Sequence, residues 1–126
     1  MKPGKQEDIT PEELLDKIIK GIQDKKGRDL ITLKISEIEN SICDYFVICH
    51  GTSNTHVDAI VEAIEARVKK ELNEKPYSKE GMGNLTWVLM DYASIIIHVF
   101  QKEYREFYNL EDLWADAPME QYQDII

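Results

Sequence analysis

Five apolar residues in succession, Tyr45-Phe46-Val47-Ile48-Cys49, lead through His50 into a Gly51-Thr52-Ser53 turn. A strand sends successive side chains to opposite faces, so a run without polar alternation has to be covered on both sides. A one-sided sheet open to water is thereby excluded. After the turn, Val57, Ile60, Val61, Ile64, Val68 and Leu72 recur on one helical face, with Glu62, Glu65, Arg67, Lys69 and Lys70 mostly on the other. A doubly covered strand feeding an amphipathic helix predicts a layered α/β domain.

The flanking segments fit this plan. Thr10-Pro11-Glu12-Glu13 reads as a helix start in which Thr10 caps, Pro11 takes the first turn and Glu13 closes a capping box. Leu14, Leu15, Ile18, Ile19 and Ile22 form its apolar stripe, and Lys25-Lys26-Gly27 ends it. Residues 30–35 alternate, with Ile31, Leu33 and Ile35 inward and Thr32 and Lys34 outward, the pattern of an outer strand. Beyond Pro76, Gly81 and Gly83, a short strand is expected near Tyr77 and a longer one over 85–90. Strand, helix and strand in this order predict that the Tyr45 and Val88 strands are parallel, joined by a right-handed crossover. Asp91-Tyr92-Ala93-Ser94 then turns the chain into an antiparallel strand over 95–100, followed by a brief helix over 103–108. The expected fold is α/β (α+β), a mixed sheet of four to five strands with a βαβ crossover and flanking helices. Residues 1–9 are expected to be a loose tail, 10–114 a single domain, and 115–126 a trailing segment without periodicity.

With 126 residues the chain suits one hydrophobic core, and no apolar run approaches the ~20 residues of a membrane helix. The N-terminus resembles neither a secretory signal nor a transit peptide, so a cytoplasmic protein is expected. A net charge of −9 opposes phosphate backbones and disfavours DNA or RNA binding as the main activity. Residues 101–126 carry seven acids against Lys102 and Arg105, a balance suited to a basic protein partner and equally to simple solubility. Cys43 and Cys49 lack Cys-x-x-Cys spacing and read as reduced, buried thiols.

Candidate chemistry is sparse. The Gly-Thr-Ser turn at a helix start could cradle an anion, yet neither a dinucleotide fingerprint nor a P-loop is present, and a Ser53 N-cap explains it as well. Magnesium-dependent nucleotidyl transfer calls for converging carboxylates, whereas no Asp-x-Asp exists and Asp44, Asp58 and Asp91 stand on separate elements. Cys49 and His50 are strand neighbours pointing to opposite faces; His98 could reach Cys49 from another strand but is better explained as a core residue. His50 and His56 bracket the turn without an evident third metal ligand. Nine of the eleven aromatic residues lie from Tyr77 onward, more than one small core buries. Phe100, Phe107 and Trp114 are expected to anchor the terminal helix. Trp87 and Tyr92, at a strand start and in a turn, are expected to reach solvent and supply the contact surface, since Trp and Tyr dominate binding hot spots.

Taken together, Asp44-Tyr45-Phe46, Gly51-Thr52-Ser53, Glu80-Gly81, Trp87, Asp91, His98-Val99-Phe100, Arg105, Phe107-Tyr108 and Leu110-Glu111-Asp112-Leu113-Trp114 resemble the ribosomal silencing factors, or Iojap-like proteins. The likeness spans residues 14–114; His50 departs from it, standing where the family usually has a small residue. It implies a nucleotidyltransferase-like fold used as a scaffold without catalysis, with no cofactor and no metal. It further implies binding to the large ribosomal subunit through ribosomal protein number fourteen, obstruction of small-subunit joining under nutrient limitation, and a homodimer when free. Trp87 and Tyr92 are the leading contact candidates on this reading, with Asp91 and Glu80 presenting charge. Large-subunit assembly and nucleotide chemistry are the alternatives.

Overall fold

The computed structural model describes residues 9–126, so the expected tail over 1–9 lies almost wholly outside the described residues. In chain order the elements are helix α1 (Pro11–Asp24), strand β1 (Arg28–Lys34), a 3-10 turn (Ile35–Glu37), β2 (Tyr45–Gly51), α2 (Asn54–Leu72), β3 (Ser78–Glu80), β4 (Trp87–Asp91), β5 (Ile95–Gln101), α3 (Lys102–Tyr108), α4 (Leu110–Leu113) and β6 (Met119–Gln121). The six strands form one sheet in the order β3-β4-β5-β2-β1-β6.

Strand β2 is central and buried on both faces, as its composition demands. It pairs in parallel with β5 from Tyr45↔Ile95 through Gly51↔Gln101 and antiparallel with β1. On one side Val47, Cys49, Val88, Met90, Ile95, Ile97 and Val99 pack under α1 and α2. The α1 capping box forms as expected: the Glu13 amide donates to Thr10 Oγ1 at 3.1 Å, and the Thr10 amide donates to Glu13 Oε1 at 3.3 Å. Gly21 brings the two helices together, since a Cβ there would stand 2.8 Å from Ile64 Cα. The opposite face gathers Ile31, Leu33, Phe46, Ile48 and Phe100 beneath α3, α4 and the loop carrying Ala117.

Two expectations are corrected. The Tyr45 and Val88 strands are neither adjacent nor parallel, because β5 lies between them and the crossover from β2 ends on β5. Strand β5 is buried along both faces whereas β4 alternates buried with half-buried, so the central place goes to the strand that water would penalise more. Nor is β1 an outer strand with a trailing C-terminus: β6 pairs with it from Ile31↔Gln121 to Leu33↔Met119, and Thr32 is buried. The ladder continues as Lys34 N–H donates to Pro118 O and Tyr122 N–H to Leu30 O. All three β6 side chains are exposed, so the backbone holds this strand and no side-chain period announces it.

One buried group makes the second core face sensitive to acid. His98 is 5% exposed, and burial pushes its imidazole down to about 4 from an ordinary 6.5. The unfolded chain takes up the proton first, so this group's contribution to stability is intact above pH 6.5 and is lost as pH falls toward 4.

Two outcomes are expected. From His98 alone the folding free energy falls by about 2 kcal/mol between pH 7.5 and pH 5, and His98→Phe removes that increment. Urea denaturation of both proteins at both pH values checks this, and identical pH dependences would refute it. Gly21→Ala forces α1 away from α2 and costs about 1–3 kcal/mol; an unchanged urea midpoint would show that the helices separate freely.

Candidate functional site

Register determines what the half-covered sheet face presents. Residues directly opposite in paired strands share a face. Glu80, Leu89, His98 and Ile48 therefore form one cross-strand row, Asp91, Ile96 and Phe46 a second, and Trp87, Phe100 and His50 a third. Over β2 and β1 these rows are sealed by α3 and α4. Toward β3, Trp87, Leu89, Ile96 and Asp91 stay partly exposed and Glu80 is exposed. The apolar surface continues onto α3: the Trp87 ring lies 4.7 Å from Tyr108, which meets Phe107 edge-on at 5.1 Å.

Three of the four expected contact residues, Trp87, Asp91 and Glu80, thus share this face. Tyr92 does not. It is 5% exposed and packs on the helix-covered side beneath α2, so its side chain offers no docking surface. Alternation along β4 is the reason: Tyr92 follows Val88 and Met90 onto the helix-covered face, opposite Trp87, Leu89 and Asp91. Beyond it the chain turns tightly, Asp91 Oδ1 accepting from the Ala93 amide at 2.7 Å and Ala93 taking a left-handed φ of 69°. Burial raises its phenol well above the ordinary value of 10.0, and its hydroxyl has no partner among the described residues.

Phe107 also differs from expectation, being 80% exposed instead of anchoring the terminal helix. Arg105 accounts for this. It turns inward, and a residue two positions along a helix points away from it. No residue pattern along α3 announces this, because the burial of Arg105 is set by Glu111, His50 and the Arg28 carbonyl in the folded sheet. Leu89 and Ile96 were missed because half-covered strands hide which face is closed.

Trp87 is held in place from two sides. Its ring stacks on Phe100 at 5.0 Å, and the indole Nε1–H donates to His98 Nδ1 at 3.1 Å. At its carbonyl, Gly81 approaches so closely, with φ of 88°, that a Cβ would overlap Trp87 O. The Glu80-Gly81 pair therefore serves the backbone at least as much as it serves charge.

Several of the candidate chemical groups have structural roles or are held in their neutral form. Burial pushes the Cys49 thiol up to about 12 and, with help from Asp44, the Cys43 thiol up to about 11, so neither forms a thiolate near neutral pH. Cys49 faces the helices while His98 faces the other side of the sheet, which keeps them apart. His56 Nδ1 accepts from the Thr52 amide at 2.9 Å, leaving Nε2–H to donate to Lys25 O at 2.7 Å. Ser53 caps α2 by accepting from the His56 amide at 3.1 Å, and Gly51 is required because a Cβ would crowd the Val57 amide at 3.0 Å. The Thr52 and His56 amides at this turn already have partners. Asp44 and Asp91 lie at one end of the sheet and Asp58 near the other, and no group of three potential metal ligands occurs among the described residues.

A cleft of about 590 Å³ opens between β1, β6 and α3, lined by Asp29, His50, Lys102, Arg105, Glu106 and Glu111 among others. Its centre is structural. Buried Arg105 donates from Nε to Glu111 Oε2 at 2.9 Å and from Nη1 to His50 Nδ1 at 3.0 Å and Arg28 O at 3.4 Å, tying α3 and α4 to the sheet. Burial first, then Arg105, lowers the His50 imidazole, which therefore stays neutral as an acceptor.

Comparison with known proteins gives a consistent picture. The family model described as "Ribosomal silencing factor during starvation" matches residues 8–126. The chain is similar to the ribosomal silencing factor of Halalkalibacterium halodurans, 36% identical over 118 residues and covering 94% of this chain and 99% of that one. It is similar to the mouse protein "Mitochondrial assembly of ribosomal large subunit protein 1" at 32% identity, over 91% of this chain and 51% of the mouse protein. Its fold matches the crystal structure of a Chromobacterium violaceum protein with a TM-score of 0.79 and 26% identity, over 85% of this chain and 88% of that one. This chain belongs to the ribosomal silencing factor family.

Proposed function

We propose that this protein represses translation by binding the large ribosomal subunit through ribosomal protein number fourteen and standing where the small subunit would join. The observation that carries the reading is the open sheet face, an apolar surface of Trp87, Leu89, Ile96 and Tyr108 beside the carboxylates of Glu80 and Asp91. Desolvating the aromatics supplies affinity, and the acids favour a basic protein while the net charge of −9 resists nonspecific adhesion to RNA. Family membership supplies the ribosome. The action is steric and needs no reacting group, so we read the protein as a non-enzyme that works in the cytoplasm when nutrients run short. The same apolar face suits pairing with a second copy when the protein is free.

A second reading is favoured by one finding, the similarity to a mouse protein named for assembly of the mitochondrial large subunit. On that reading the same face would dock on maturing large subunits. Ribosome profiles after depletion separate the two: accumulated precursors mark assembly, whereas normal subunits with unrestrained translation in starvation mark repression.

Trp87→Ala is expected to leave a folded protein and weaken large-subunit binding by about 2 kcal/mol, roughly thirtyfold in Kd. Cosedimentation of parent and variant with purified large subunits measures this, and equal binding would remove Trp87 as an anchor. In subunit-reassociation sedimentation, the parent protein in molar excess should reduce joined ribosomes. Unimpeded joining with the protein bound would overturn the repressor reading.

A further inference from the structure

His98 is an odd occupant of an apolar row. It lies between Leu89 and Ile48 across the sheet, its ring meets Phe46 edge-on at 5.1 Å, and it is 5% exposed. An indole N–H can only donate, so the 3.1 Å contact with Trp87 requires a lone pair on His98 Nδ1 and places the ring proton on Nε2. That Nε2 is buried without a partner among the described residues. Phenylalanine would fill the same row without stranding a donor. What the histidine supplies in exchange is an acceptor aimed at Trp87 from the diagonal cross-strand position, two residues before the Phe100 on which the indole stacks.

We propose that His98 is the positioning residue of the docking face, its Nδ1 fixing the Trp87 indole in one orientation so that the partner meets a preformed aromatic anchor. This rests on the reading of that face as the ribosome-binding surface. Stacking on Phe100 and contact with Tyr108 are non-directional and select no single torsional setting of the indole; the directional hydrogen bond to His98 selects one. A preset side chain loses less conformational entropy on binding than one ordered by the partner. Protonation at Nδ1 would replace the acceptor with a second donor, so the arrangement needs the neutral ring, and burial keeps the ring neutral.

The test uses the full chain with Trp114→Phe, which leaves Trp87 as the single tryptophan, and adds His98→Phe or His98→Gln. Glutamine restores an acceptor; phenylalanine restores only the volume. With His98→Phe, Trp87 should show faster local anisotropy decay and binding to large subunits about tenfold weaker, and His98→Gln should recover both. Equal binding by His98→Phe and its parent overturns the proposal, as does equal loss in both variants, which would mark a packing role only. Should neither variant fold, nitrogen-15 NMR of the unaltered protein decides: the Nε2–H tautomer with a slowly exchanging Trp87 indole proton supports the proposal, and the Nδ1–H tautomer overturns it. If the parent fails to bind large subunits, the ribosomal reading falls, while the anisotropy and tautomer measurements still report on whether His98 holds Trp87.

Discussion

The parallel ladder between β2 and β5 is the constraint on which the rest of the molecule depends. Both strands are buried on two faces, so they must occupy the middle of the sheet and be roofed above and below. A parallel pair cannot close through a tight turn, and the connection has to travel over the sheet; α2 makes that journey and roofs one face with α1. Only the other face remains to be covered. The short helices α3 and α4 cover β2 and β1 but stop short of β3 and β4, leaving an apolar surface that a full layer of helices would have hidden.

On the proposed reading, that incompleteness joins fold to function. A sheet face half sealed by helices offers rigid strands as a platform, with side chains spaced by the ladder instead of by mobile loops. Trp87 profits most: its backbone is pinned against Gly81, its ring stacks on Phe100, and its nitrogen is bonded to His98. The acids at Glu80 and Asp91 stand on strands of the same face. Opposite in character is the Arg105 node, where a buried cation spends its donors on Glu111, His50 and a backbone carbonyl. It fastens the helices that define the edge of the open surface, and it gives His50 a structural occupation.

Local chemistry was legible wherever it depended on neighbours in the chain. The Thr10 capping box, the Ser53 cap, the stripe of α2 and the doubly buried β2 all follow from residues within a few positions of one another. The family resemblance, carried by combinations such as Trp87 with Asp91 and Leu110 to Trp114, was likewise in the sequence. Strand order was not, because β4 and β5 are each compatible with a place beside β2 and only the comparison of their burial in the assembled sheet decides between them. Strand β6 was invisible since three exposed side chains have no period, and the backbone bonds that hold it form only once β1 presents an unpaired edge.

The candidate surface divides along the same line. Sequence by itself determined a layered α/β plan, an excess of aromatics beyond what its core could absorb, an acidic balance and the identity of Trp87 as a side chain worth watching. Tertiary structure alone decided that Tyr92 turns inward, that Phe107 turns outward, that Leu89 and Ile96 extend the apolar face, and that His98 bonds to Trp87. The physical reason is that exposure belongs to a face and not to a residue: whether a side chain meets water depends on which layer the rest of the chain has placed above it.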